Sequence, residues 1–205
     1  DAPVIGQFTH SHNPDIWCAD TAIEVKTLVR KDFPLGYYGA HRPFHDDTKH
    51  QPHWTDGAGR QVPKPFRSAA TKRRIRAFPA RGARRFATLN HYALRSLDSY
   101  LVKNDRGDVN REHRAFDDSY WRDRNDAAWE DRSIQRYLPA LHAEIDRLKA
   151  LPGVADLHAA SVAAHRARRD ELLTDPSYRE MQAQLRAASP FCAAEARIRA
   201  EIGLT

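Results

Sequence analysis

The spacing of the apolar residues changes near residue 90, and this change constrains the fold more than any other feature of the chain. Before it, residues 23–29 alternate apolar or β-branched side chains with charged ones, which is the pattern of a half-buried strand. Beyond it, apolar side chains recur every three or four residues, as they do on one face of a helix. We therefore expect an α/β fold, α+β within this chain, with its sheet in residues 1–90 and a mainly helical region in residues 91–205.

Two further extended segments are expected before the change. Residues 35–40 follow a turn signal at Asp32-Phe33-Pro34, and residues 84–89 lead the chain to Asn90. Residues 44–81 lie between them, are rich in Pro, Gly, His and basic side chains, and show little periodicity. We interpret this stretch as a long irregular region, and loops of that length are usually functional or disordered.

Helix start and stop signals divide the C-terminal side into several helices. Ser96 is expected to cap a helix that Gly107 closes. A longer helix is expected to run to about Ala150, with a kink or a new start at Pro139. The other predicted helices cover residues 117–124, 155–173, 177–187 and 192–202.

The positive charge is concentrated in one segment. Residues 61–90 contain nine Lys or Arg residues and no acidic residue. Three phenylalanines lie among them, so one alternative is a nucleic-acid-binding protein that uses this segment to contact phosphates and stack bases. The same charge is suited to peripheral contact with a membrane or with an anionic polysaccharide.

The sequence also bears on the compartment. No apolar run approaches the roughly 20 residues that a membrane span requires, so we expect no transmembrane segment. No signal peptide is recognised at Asp1, and the chain is expected to be a fragment. The two cysteines, Cys18 and Cys192, have no metal-ligand spacing, which favours a reducing compartment. We expect a cytoplasmic location.

Four stretches, taken in order, carry a resemblance to a known family. They are Val25–Arg30 with His41-Arg42-Pro43, Trp54 with Gly57-Ala58-Gly59-Arg60, Leu89-Asn90-His91-Tyr92 with the helix that follows, and Glu130–Ile134. Together they resemble the C-terminal, acceptor-side part of bacterial family 2 type glycosyltransferases, which have the GT-A fold. The resemblance implies that residues 1–90 are the C-terminal portion of a GT-A domain whose nucleotide-binding half would precede Asp1. A chain of this kind is expected to be inactive alone.

The resemblance implies an enzyme that transfers a sugar from a nucleotide-sugar donor to a glycan acceptor. The departing diphosphate then requires a divalent metal, Mn or Mg, or cationic side chains. The implied site residues are Lys26, Arg30 and Arg42 for the donor diphosphate, His91 and its rival His41 for the metal, and Trp54 for the acceptor sugar.

Two other groups of side chains admit more than one role. The loop histidines His45, His50 and His53 are either solvated or part of a zinc site. Glu130 and Asp131 either supply a carboxylate base or stabilise the start of the next helix.

Overall fold

A computed structural model describes residues 2–14, 25–39, 41–46, 48–63, 82–107, 116 and 118–204. The chain has a mixed α+β fold and divides into two compact units. Pro14–His91 form one, which we name the loop unit, and Asp1–Asn13 with Tyr92–Thr205 form the other, the helical unit. The division between residues 91 and 92 lies where the spacing of apolar residues changes.

Helices dominate the regular structure of the described residues. In chain order the elements are α1 (Val4–Gln7), β1 (His10–Ser11), β2 (Tyr37–Tyr38), β3 (Pro43–Phe44), α2 (Leu97–Arg106), α3 (Asp118–Arg122), β4 (Trp129–Glu130), a 3-10 helix (Ser133–Tyr137), α4 (Leu138–Lys149), α5 (Val154–Leu172), α6 (Pro176–Ala187) and α7 (Ala193–Glu201). The predicted helices are confirmed, with bounds that differ by one or two residues.

Helix α2 has the two caps that the sequence predicts. The Ser96 hydroxyl accepts a hydrogen bond of 3.1 Å from the Ser99 amide. At the other end Gly107 adopts a φ of 77°, a conformation that costs glycine less than any other residue, and its amide donates to the carbonyls of Lys103 and Asn104. Local chemistry therefore determines both ends of this helix.

Pro139 restarts a helix, as expected. The 3-10 helix ends at Tyr137, α4 begins at Leu138, and the proline occupies the first turn of α4. A proline is tolerated there because the first amides of a helix have no intrahelical partner.

The core of the helical unit forms where α2, α3 and α6 meet. Its buried residues are Leu94, Tyr100, Trp121 and Leu185, and the rings of Tyr100 and Trp121 meet edge to face at 5.0 Å. Two ion pairs join α2 to α5 across 2.7 and 3.0 Å, Asp105 with Arg168 and Asp98 with Arg169.

The first residues of the chain pack in the helical unit. Strand β1 pairs antiparallel with β4, so that His10 lies opposite Glu130 and Ser11 opposite Trp129. The amide of Asp131 also donates to the carbonyl of Thr9 at 2.7 Å. No local sequence pattern predicts this pairing, because about 120 residues separate the two strands.

The predicted strand at residues 23–29 is wrong over its described part, residues 25–29, which are irregular. Val29, which the alternation places on the buried face, is 41% exposed, and no described strand pairs with this segment. The Thr27 hydroxyl instead donates to the carbonyl of His41 at 3.0 Å. Residues 23 and 24 lie outside the described residues. The segment predicted at 35–40 contains β2, which pairs antiparallel with β3.

The predicted strand at residues 84–89 is also wrong. The chain turns at residues 82–86 and is irregular to residue 89, and Phe86 is 73% exposed. The amides of Phe86 and Ala87 both donate to the carbonyl of Gly57, at 2.8 and 2.9 Å. A side chain at position 57 would collide with the backbone there, since a Cβ would lie 2.6 Å from the Ala83 oxygen. The sheets of the described residues are thus two antiparallel pairs.

Candidate functional site

The loop unit contains a cavity of about 120 Å³ that three of the six expected site residues line. These are Lys26, His41 and Arg42, which the chain brings together from two separate segments. The other lining residues are Thr27, Val29, Tyr38, Gly39 and Pro43. None of the lining residues that the structure describes is acidic, and Lys26 and Arg42 are positively charged.

The hairpin of β2 and β3 forms one side of the cavity. Tyr37 pairs with Phe44 and Tyr38 with Pro43. The chain can turn back tightly only because residue 39 is glycine: a Cβ there would lie 2.5 Å from the Arg42 carbonyl oxygen. Real side chains do not tolerate such a distance to backbone, so Gly39 is needed to hold Arg42 beside the hairpin.

His41 joins the hairpin to the segment that carries Lys26. Its Nδ1 lies 3.1 Å from the Val25 carbonyl oxygen. Because a carbonyl only accepts, Nδ1 carries the hydrogen, and in the neutral ring Nε2 has the lone pair. Together with the bond from Thr27 to the His41 carbonyl, this contact fixes residues 25–27 beside the hairpin.

Arg42 supplies a fixed positive charge. Its side chain is buried, with 3% of the residue exposed, and its guanidinium carbon lies 5.3 Å from the centre of the Phe44 ring. A guanidinium stays charged even when buried, and it can bind two oxygens of one anion. Lys26 is exposed and adds a second positive charge on a flexible side chain.

The charge of the cavity suits a phosphate-bearing anion. The cavity of about 120 Å³ has room for a phosphoryl group and is open to solvent on one side. Cationic side chains and an imidazole are the groups that bind such an anion.

The other three expected site residues do not line this cavity. Arg30 forms an exposed ion pair of 2.5 Å with Asp32. His91 is exposed at the end of the loop unit. Trp54 is half-buried, and its ring centre lies 6.2 Å from that of His45.

The loop histidines pack against aromatic rings. His45 and His50 meet the Phe33 ring at 5.6 and 5.8 Å, in both cases edge to face. Within the described ranges, no three His, Cys, Asp or Glu side chains converge so that they could hold a metal ion. The zinc, Mn and Mg sites therefore stay predictions.

Glu130 and Asp131 have structural partners. The Asp131 carboxylate accepts from the Ser133 amide at 2.8 Å, at the start of the 3-10 helix. Glu130 forms a 2.6 Å ion pair with Arg132, and the hydrogen bond from Arg132 lowers the pKa of the Glu130 carboxyl. A carboxylate with a lowered pKa is a weaker base, which favours the structural role.

Most of the basic segment expected at residues 61–90 falls on residues 64–81, which lie outside the described residues. At its described end, the Arg85 guanidinium lies 5.1 Å from the centre of the exposed Phe86 ring. The Arg85–Phe86 pair lies in the described end of the basic segment.

Cys192 is disulfide-bonded, and the described part of the chain contains no free cysteine. Disulfides persist in oxidising compartments and are rare in the cytosol. The bond therefore argues against the reducing compartment that the cysteine spacing favours, and the cytoplasmic location stays a prediction.

Sequence reasoning missed Tyr38 and Gly39, although both line the cavity. The signal was the run Tyr37-Tyr38-Gly39 before Pro43, in which aromatic residues and a glycine are typical of a short hairpin.

No protein-family model, curated protein or solved structure matches this chain. The resemblance to glycosyltransferases therefore rests on the residues themselves. Among the helices of the described residues, none is long and apolar enough to cross a membrane.

Proposed function

We propose that this chain contributes the donor-phosphate site of a glycosyltransferase, in which Lys26, His41 and Arg42 bind the phosphate that leaves with the nucleotide. One observation carries the proposal. The three residues come from two segments, and the resemblance connects each of them with the donor site or its metal. They line the same cavity of about 120 Å³.

The chemistry of glycosyl transfer gives these side chains a role. As the bond between the anomeric carbon and the phosphate oxygen breaks, negative charge grows on the departing phosphate. Cationic groups held in place before the reaction stabilise that charge more in the transition state than in the ground state. Arg42 binds two phosphate oxygens and Lys26 a third, while the His41 ring lies beside them and holds the segment of Lys26 in place through Nδ1.

The metal and the acceptor site remain predictions. No three metal-ligating side chains converge among the residues described, so we assign no step to Mn or Mg. The carboxylate base is likewise left unassigned, and Trp54, which is half-buried, keeps its acceptor role only as a prediction.

Pyrophosphate binding tests the proposal on the full chain. Isothermal titration calorimetry should show binding that Lys26→Ala and Arg42→Lys each weaken by about tenfold or more, since hydrogen bonds to charged groups contribute about 1.5–3 kcal/mol. Arg42→Lys keeps the buried charge and removes the fork, which guards against loss of folding.

Arg30→Ala is the matched control, because Arg30 is a basic residue of the same unit that is exposed and lies outside the cavity. It should leave pyrophosphate affinity unchanged. If all three variants weaken binding equally, general positive charge and not the cavity holds the anion, and the proposal fails.

Nucleic-acid binding is the second candidate, and the exposed Arg85–Phe86 pair is the observation that favours it. Phe86→Ala should then weaken binding of a single-stranded oligonucleotide, with a steep dependence on salt. The same variant should leave pyrophosphate binding unchanged.

A further inference from the structure

Tyr38 is a cavity residue whose ring is largely exposed. It lines the same cavity as Lys26, His41 and Arg42, yet 74% of its surface is accessible. Its neighbour Tyr37 packs on Phe44 with 5.8 Å between the ring centres. Because successive side chains of a strand point to opposite faces, Tyr38 is on the other face of β2.

The backbone around Tyr38 is held on both sides. Tyr38 pairs with Pro43 in the hairpin, and the next residue is Gly39, which admits no side chain because of the Arg42 carbonyl. A large aromatic side chain on a fixed backbone loses little conformational entropy when a ligand stacks on it. Tyr38 therefore has the properties of a stacking platform.

The position of Tyr38 in the cavity wall determines which part of a ligand reaches that platform. Tyr38 lines the same cavity as Lys26, His41 and Arg42 and is exposed, so a group bonded to a phosphoryl held there can reach its ring. In a sugar phosphate that group is the pyranose ring, whose C–H face is apolar and packs on aromatic rings. A nucleobase is one ribose farther away.

We propose that the cavity and Tyr38 together form a sugar-phosphate site, with the phosphoryl group among Lys26, His41 and Arg42 and the pyranose ring stacked on Tyr38. The inference rests on the proposed function for its phosphoryl subsite, and it makes Tyr38 a determinant of the donor sugar.

Calorimetry on the full chain with matched probes tests this site. The probes are inorganic phosphate, the 1-phosphates of glucose, galactose, mannose and N-acetylglucosamine, and uridine 5′-monophosphate. At least one sugar 1-phosphate should bind about tenfold more tightly than inorganic phosphate, as expected for stacking on an aromatic ring. Tyr38→Ala and Tyr38→Leu should both remove that preference and leave phosphate affinity unchanged, whereas Tyr38→Phe should keep it.

Tyr137→Ala is the matched control, because Tyr137 is a half-exposed tyrosine of the helical unit. The inference is overturned if no sugar 1-phosphate binds more tightly than phosphate, if Tyr38→Leu keeps the preference, or if Tyr38 affects only the uridine nucleotide. In each of these cases phosphate binding itself survives. If the unmodified chain binds neither phosphate nor pyrophosphate, the proposed function fails instead.

Discussion

The helical unit and the loop unit are organised by different interactions. In the helical unit, helices begin and end at local signals such as Ser96, Gly107 and Pro139, and their apolar faces form a core around Tyr100 and Leu101. In the loop unit, hydrogen bonds between a side chain and a distant backbone group hold the chain, as Thr27 and His41 do. The candidate site therefore lies in the unit with less regular structure.

This difference agrees with what each unit is suited to do. Packed helices give stability, because buried apolar area is the main favourable contribution to folding. Loops held by a few specific contacts can place charged side chains at one point, where an anion would bind. Three experiments test this difference between the units.

The largest effect is expected from the core of the helical unit. Leu101 is fully buried, so Leu101→Ala should lower the free energy of unfolding by about 2–5 kcal/mol. Leu157→Ala is the matched control, since Leu157 is 72% exposed and its truncation should cost little. Chemical denaturation measures both, and equal effects would show that this core does not stabilise the unit.

A smaller effect is expected from a glycine of the loop unit. Gly39→Ala places a Cβ against the Arg42 carbonyl and should weaken pyrophosphate binding by about tenfold, which is about 1.4 kcal/mol. Gly36→Ala is the control, because the nearest atom to its Cβ is 3.9 Å away. Calorimetry that gives unchanged affinity for Gly39→Ala would contradict the role of the hairpin in forming the cavity.

The smallest effects concern pH, where two carboxyls of the helical unit should respond in opposite directions. Burial raises the pKa of the Asp126 carboxyl, so its contribution to stability is present at low pH and lost as pH rises through that raised pKa. The hydrogen bond from Arg168 lowers the pKa of the Asp105 carboxyl, so its contribution is lost as pH falls through that lowered pKa.

Thermal unfolding between about pH 3 and about pH 8 measures both responses. Relative to the unmodified protein, Asp126→Asn should gain stability as pH rises, and Asp105→Asn should lose it. The asparagine at 126 can still accept the 3.0 Å hydrogen bond from the Ala128 amide, which isolates the effect of charge. A common direction in the two variants would contradict these assignments.

The sequence predicts the two units unequally well, for physical reasons. Helix caps and periodic apolar faces act over a few residues, so α2 and the restart at Pro139 can be predicted locally. Alternation at residues 25–29 predicts a strand wrongly because no described strand pairs with this segment, and pairing is a property of the whole fold. The pairing of β1 with β4 depends on residues 120 positions apart and gives no local signal.

The candidate site was predictable in part. The resemblance points to Lys26, His41 and Arg42, which line one cavity, but also to Arg30, His91 and Trp54, which do not line it. Tyr38 was missed because the run Tyr37-Tyr38-Gly39 predicts a hairpin but does not indicate which of its side chains lines a cavity. Its position beside the cations follows from the tight turn at Gly39, which only the structure reveals.

The cavity of the loop unit is proposed to bind a phosphate-bearing ligand. NMR titration of the isotope-labelled full chain with pyrophosphate tests this binding. We predict that the largest amide chemical-shift changes occur at residues 25–27 and 38–43, the two segments that line the cavity. Changes confined to residues 82–90, or no change at any pyrophosphate concentration, would contradict the account.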